Sequence, residues 1–455
     1  MKLNSIVFTF LIFSQLTFSQ NLEIPSDVKD HIKARVDSGF NPSIATAYIE
    51  GDNVVYYNYG KTEVNVGQPV DENTVYEIGS ISKVFTTILL ADEVLKGNMV
   101  LTDPISKYLP KTLNIPQRNA KVITLQDLAT HTSGLPRMPD NFNPADPNNP
   151  FADYTVKQLY EFLSTYELTR DIGVQYEYSN LGMGLLGHIL ELHTGTPYEN
   201  LILNRIAEPL GMNSTGIVFT TAMKEKLALG HNDQLEVVSN WDITTLAGAG
   251  AIRSTTSDMV KFIQANISTD DTALNKAMKL SHKIAFTDDN LNFKIGLGWH
   301  YATDNTITWH NGGTGGYRAF AGFLNNTNKG VVVLTNSISS ADQIGLKLLD
   351  TPLNLELPKK KAFPDVVDLP SEILATYIGT YQLAPEFTLT ITQNEKQLFA
   401  QATGQSKFEI FPSSENKFFL RVVEASITFS QNEEGKINGL TLHQGGMDMP
   451  APKLD

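Results

Sequence analysis

The chain of 455 residues contains no cysteine. That excludes disulfides, thiolate nucleophiles, iron–sulfur clusters and zinc–thiolate sites. Positive charge is also in deficit: 35 Lys and Arg against 49 Asp and Glu leave a formal net charge of −14. Binding a phosphate backbone needs the opposite sign, so no nucleic acid is expected as a partner. No apolar run reaches the ~20 residues of a membrane-spanning helix, so no transmembrane anchor is expected. The one compact run, Ile6 to Phe13, follows Lys2 and precedes the small residues Thr17 and Ser19. It reads as a signal peptide over residues 1–19 and predicts a periplasmic or secreted protein. Gly-x-Ser-x-Gly is absent too, which counts against an α/β-hydrolase. The helical set His188, Glu191 and His193 spaces its histidines i, i+5, unlike the i, i+4 of metalloproteases, and a metal site is set aside.

What is present fits an ordinary globular protein, 41% apolar and 18% charged. Its length allows one large domain and a smaller one. Ser43–Glu50 and Val54–Tyr59 read as a hairpin across Gly51-Asp52-Asn53. Ile81–Lys96 reads as a helix stopped by Gly97. Thr124 to Asp127 and Thr155 to Gln158 resemble capping boxes, and Ser179 is placed to cap a helix carrying Leu181, Leu185 and Ile189. Strand patterns return at Thr306–Trp309, Phe320–Leu324 and Val331–Leu334. Strands at both ends with helices between favour an antiparallel sheet flanked by helices. This domain is expected over residues 20–356, followed by a proline-punctuated linker over 357–370 and a β-rich domain over 371–455. In the last, Phe387 to Thr392 alternates strictly, as in a small barrel or sandwich.

Three clusters carry chemistry. Ser80-Ile81-Ser82-Lys83 opens a largely apolar helix and sets an amine one turn from a hydroxyl. A serine needs a base, and lysine serves as one only if burial or nearby cations lower its pKa. Ser26 to Lys29 and Ser414 to Lys417 share the spacing in charged surroundings, so spacing alone decides little. Tyr178-Ser179-Asn180 offers a proton-shuttling phenol and an amide for substrate. His310-Asn311-Gly312 leads into Gly313, Gly315 and Gly316, where substrate backbone can approach and the Gly313 N–H can pair with that of Ser80 as an oxyanion hole. Each cluster also has a plain structural explanation: Ser179 as a cap, Tyr178 as packing, His310 beside a glycine loop.

Taken in order, Ser-x-x-Lys, Tyr-Ser-Asn and His-x-Gly resemble the serine β-lactamase and penicillin-binding-protein superfamily, most closely its class C β-lactamase and DD-peptidase branch. Tyr76–Lys83, Leu128–Pro136, Pro209–Met212 and His310–Thr314 extend the resemblance through roughly residues 25–350. It implies an α/β sandwich with an all-helical lobe and the site between them. It further implies acylation of Ser80, acid–base work by Lys83 and Tyr178, substrate binding by Asn180, His310, Gly312 and Gly313, and no metal or organic cofactor. His310 stands where many relatives have the lysine of Lys-Thr-Gly, and Arg318 lies just beyond as a substitute positive charge. The β-rich tail resembles domains appended to family peptidases, which assist assembly or cover the site. The expected activity is an exported serine hydrolase acting on small peptides, amides or β-lactams. An esterase or a penicillin-binding sensor without turnover are the alternatives.

Overall fold

The computed structural model describes residues 22–289, 291, 293–302, 305–358, 363–385, 387–405 and 407–454. The expected signal peptide lies outside the described residues, as do residues 359–362 of the expected linker.

Eight antiparallel strands form the main sheet: β1 (Ser43–Glu50), β2 (Asn53–Gly60), β3 (Phe286–Asp288), β4 (Phe293–Ile295), β5 (His300–Ala302), β6 (Ile307–Gly313), β7 (Arg318–Leu324) and β8 (Lys329–Thr335). Their order is β2-β1-β8-β7-β6-β5-β4-β3, so the first hairpin pairs with the last strand, Ile44 opposite Thr335. Period-two alternation gives the sheet two apolar faces. Val331 and Val333 of β8 join Val28 and Ile32 of α1 (Ser26–Asp37) and Ile344 and Leu348 of α8 (Asp342–Leu348). Val332 and Leu334 point the other way, toward the core shared with α2 (Ser82–Leu95) and α6 (Thr256–Ile267).

Helix α2 is apolar nearly all round and buried accordingly, with Phe85 stacked on Phe262 at 4.1 Å. The helical lobe comprises α3 (Leu125–Ala129), α4 (Val156–Thr165) and α5 (Asn180–Thr194), with α7 (Ala273–Ser281) packed on α2. Both capping boxes form reciprocally, Thr124 with Asp127 and Thr155 with Gln158. Ser179 caps α5 by accepting the Gly182 N–H at 2.8 Å. Glycines on α5 admit a close neighbour: a Cβ on Gly187 would lie 3.0 Å from Gly248 Cα. Segment Ala247–Ala249 therefore lies against α2 and α5 and brings its carbonyls to the site. No helix among the described residues is long and apolar enough to cross a membrane.

The C-terminal region is an up-and-down barrel of eight strands: β9 (Gly379–Ala384), β10 (Phe387–Asn394), β11 (Gln397–Ala402), β12 (Lys407–Pro412), β13 (Lys417–Leu420), β14 (Ala425–Gln431), β15 (Ile437–Gln444) and β16 (Met447–Pro452). A Tyr381–Lys453 bridge joins the first strand to the chain just past the last, so both edges are covered. Its interior holds Tyr381, Leu389, Ile391, Phe418, Phe429 and Leu440.

Candidate active site

The chain enters α2 through a single 3-10 turn, Gly79–Ile81, which carries Ser80. The expected start of the helix at Ile81 thus falls one residue early. The turn exists because the end of β6 packs directly on it. Gly79 adopts φ +50°, and its missing Cβ would lie 2.6 Å from Gly313 N. A Cβ on Gly312 would lie 1.9 Å from Ile78 O and 3.1 Å from Ser80 N. Only glycine lets these two backbones approach so closely. Thr314 N donates to Tyr317 O at 3.1 Å, which fixes the parity of the β6–β7 ladder. By that parity the Gly313 N–H faces away from β7, on the side where Ser80 sits.

Lys83 Nζ lies 2.9 Å from Ser80 Oγ and donates to the Ala249 carbonyl at 2.6 Å. The side chain has 0% exposure. No carboxylate among the described residues pairs with it. Burial, reinforced by the Arg137 guanidinium, holds the amine well below the usual lysine range. Tyr178 shares Ser80 as a hydrogen-bond partner, and its ring centroid lies 4.7 Å from Lys83 Nζ. Burial pushes its phenol up to about 12, against the opposing pull of the Ser80 bond and Arg137. Burial thus favours the neutral form of both, which suits the lysine to accept a proton and the tyrosine to give one.

Asn180 follows on the first turn of α5, its Nδ2 3.7 Å from Met138 Sδ. The Arg137 carbonyl accepts from the backbone N–H groups of Asn180 at 3.0 Å and Leu181 at 3.2 Å. His310 is brought to the same place. Its ring has 0% exposure, stacks on His300 at 4.6 Å and lies 6.3 Å from the Tyr178 ring. Burial, then His300 and Lys83, push it well below the usual histidine range. Burial leaves it a neutral group beside Tyr178, because β6 turns this residue into the sheet's covered side. Arg318 lies beside Gly313, where Nη1 donates to the carbonyls of Thr314 at 2.9 Å and Tyr317 at 2.8 Å.

Sequence reasoning missed four contributors. His131 accepts the Ser179 N–H through Nδ1 at 3.1 Å, and its ring lies 4.6 Å from that of Tyr178. His300, held to about 4 by burial and Lys83, backs His310. Arg137, exposed, sets its guanidinium 5.0 Å from the Tyr178 ring centroid. Ala249 supplies only a carbonyl, which no side-chain pattern announces. His131 and Arg137 flank or fall within the Leu128–Pro136 stretch, so proximity to that stretch was the available signal. Among the described residues no group of His, Asp and Glu is arranged to hold a metal.

The sequence model of the Beta-lactamase family matches residues 28–348, and that of a domain of unknown function, DUF3471, matches residues 364–453. Penicillin-binding protein 4* of Bacillus subtilis (strain 168) is 28% identical over 451 residues, 90% of this chain and 94% of that protein. The D-alanyl-D-alanine-carboxypeptidase/endopeptidase AmpH of Escherichia coli (strain K12) is 29% identical over 69% of this chain and 85% of its own length. Among solved structures, a β-lactamase/D-alanine carboxypeptidase from Yersinia pestis complexed with citrate superposes with a TM-score of 0.62 at 25% identity, over 71% of this chain and 97% of that one. With this match over most of its length and the geometry around Ser80, the chain belongs to the Beta-lactamase family, in the serine β-lactamase and penicillin-binding-protein superfamily, and is a serine hydrolase.

Proposed function

We propose that the protein cleaves small peptides or amides, D-alanyl-ended ones among them, through an acyl-enzyme on Ser80. The observation that carries this reading is the fully buried Lys83 Nζ set 2.9 Å from Ser80 Oγ, and burial displaces Lys83 down and Tyr178 up around that hydroxyl. Neutral Lys83 takes the Ser80 proton as Oγ bonds to the carbonyl carbon of the substrate. The oxyanion so formed is received by the N–H groups of Ser80 and Gly313. As the carbon–nitrogen bond breaks, Tyr178 gives its proton to the departing amine and is reprotonated from Lys83. Water then repeats the cycle on the ester. Asn180 binds the amide of the substrate, and Gly312 keeps β6 close enough for Gly313 to serve. His310 acts as a positioning residue behind Tyr178.

Peptide or amide cleavage is favoured over strong β-lactam turnover because position 310 offers no cation. An esterase remains the second reading, since an ester's leaving group asks less of Tyr178. The N-terminal run read as a leader supports export, and the barrel is the surface through which copies would assemble. Ser80→Ala should abolish labelling by a fluorophosphonate and by a fluorescent penicillin, with the adduct on the wild type located by intact mass. Undiminished labelling of the variant removes Ser80 from the role. A panel of D-alanyl-ended peptides, nitrocefin and p-nitrophenyl esters then ranks the substrates.

A further inference from the structure

Strict alternation along β10 sends Leu389 and Ile391 into the barrel and leaves Thr388 and Thr390 outside. Gln401 of β11 stands directly opposite Thr390. Such outward polar residues ordinarily meet water. Here they meet the hydrolase domain, and with Met138, Asp140 and Phe142 they enclose a cavity of about 240 Å³. Pockets for whole small ligands run to ~300–1,000 Å³, so this one is sized for part of a substrate.

Its position ties it to Ser80. Met138, which walls the cavity, is the residue whose sulfur meets Asn180 Nδ2. Its neighbour Arg137 anchors the first turn of α5 through its carbonyl. Both walls are braced. Phe142 packs on Phe151 and Tyr154 with centroids at 5.0 and 5.5 Å, and Asn141 Nδ2 donates to Gln158 O at 2.9 Å. Across the cavity the Thr388 N–H donates to Thr403 Oγ1 at 3.0 Å, and Gln401 Nε2 donates to Gln405 O at 3.1 Å. The lining combines the thioether that touches Asn180, a phenyl ring, hydroxyls and an amide with one exposed carboxylate, Asp140, that no cation pairs among the described residues.

We infer that the barrel and residues 138–142 together form a substrate subsite beyond Asn180 that takes an alkyl chain ending in an ammonium group. This inference rests on the acyl-transfer reading of Ser80. The alkyl stem would lie on Met138 and Phe142 and the ammonium would meet Asp140, with Thr390 and Gln401 as further polar partners. The barrel would then be part of the recognition surface and not only an appended module.

The test uses the full chain carrying Ser80→Ala, so that binding is read without turnover. An N-acetylated lysyl-D-alanyl-D-alanine peptide is compared with its Nε-acetylated form by calorimetry. The free amine should bind about tenfold more tightly, the range of one charge-assisted contact. Adding Asp140→Asn should remove the preference, and adding Gln401→Ala should weaken the free-amine peptide by about two- to tenfold. Equal binding of the two peptides, absence of binding by either, or a preference that survives Asp140→Asn overturns the subsite. Turnover by the wild type is scored separately. If the preference holds while neither peptide is cleaved, the subsite stands and the peptidase reading of Ser80 falls. If both are cleaved at one rate with no preference in binding, the reverse follows.

Discussion

Lys83→Met should slow acylation by orders of magnitude and, in the same protein, change how stability depends on pH. The folded chain buries this amine completely, with no carboxylate partner among the described residues and the Arg137 cation nearby. Its folded pKa is therefore depressed, whereas an unfolded lysine titrates near ~10.4. Between those two values the unfolded chain carries one more proton than the folded one. Wild-type stability must then rise with pH, by about 1.4 kcal/mol per unit, up to the unfolded value. Below the depressed pKa the amine is charged in both states and the slope vanishes. Methionine keeps most of the buried stem and has nothing to titrate. The loss of the bond to the Ala249 carbonyl adds a constant penalty of about 1 kcal/mol that does not vary with pH. The stability of the variant relative to the wild type should thus fall by about 1.4 kcal/mol per unit across the window. Urea melts of both proteins at stepped pH above the histidine range measure this difference, in which titrating groups away from the site cancel. Acylation by a fluorophosphonate, followed by stopped flow, should drop by about 10²–10⁴, or about 3–5 kcal/mol of barrier. A stability difference that stays flat with pH would mean that Lys83 is charged in the fold, and the neutral-amine base would have to be abandoned.

Tyr178→Phe should cost amide cleavage about 10²–10⁴ in kcat/KM and p-nitrophenyl ester cleavage far less, because nitrophenolate leaves without a proton. Equal losses on both substrates would remove Tyr178 as the acid. Arg137→Ala takes away a cation that opposes charging of Lys83, so the acid limb of the kcat/KM profile should move to higher pH. An unmoved limb would show that Arg137 is electrically silent there. Gly312→Ala forces a Cβ to within 1.9 Å of the Ile78 carbonyl, and overpacking of this kind costs about 1–3 kcal/mol. Thermal melting should show that loss together with slower acylation, and a variant that keeps both would contradict the close packing of β6 on the 79–81 turn.

Local features of this chain were legible and long-range ones were not. The Ser80–Lys83 contact is a one-turn spacing on an apolar helix, and the caps at Thr124, Thr155 and Ser179 are read from neighbours three residues away. Alternation in Phe387–Thr392 announced a strand with one buried face. Periodicity says nothing of which strands pair, so neither the joining of β1 to β8 nor the closure of the barrel near Lys453 was readable. The 3-10 turn at Ser80 was hidden for the same reason: Gly313, more than two hundred residues on, imposes it. The placement of His310 against His300 was not readable either, since it depends on burial from several elements at once. The Ala249 carbonyl could not have been found at all, since every residue carries one.

Burial is the largest cause of the division of labour in this site. A dry environment disfavours charge of either sign, so it lowers a lysine and raises a tyrosine by the same physical cause. A carboxylate beside Lys83 would undo this by holding the ammonium charged. The site instead surrounds the pair with groups that hydrogen-bond or pack without bringing charge: His131, His300 and His310 are all pushed below the usual histidine range. A lysine at 310 would place a second buried amine beside His300 and Lys83. Only one of the two could carry charge at modest cost, and it would further depress the other. Histidine there costs the site a cation for substrate and gains a neutral neighbour for the base. The positive charge that remains at the entrance, Arg137, is exposed and sits on the segment that continues into the barrel-lined cavity. Because this guanidinium also helps hold Lys83 down, charge at the wet rim stays coupled to the base beside Ser80.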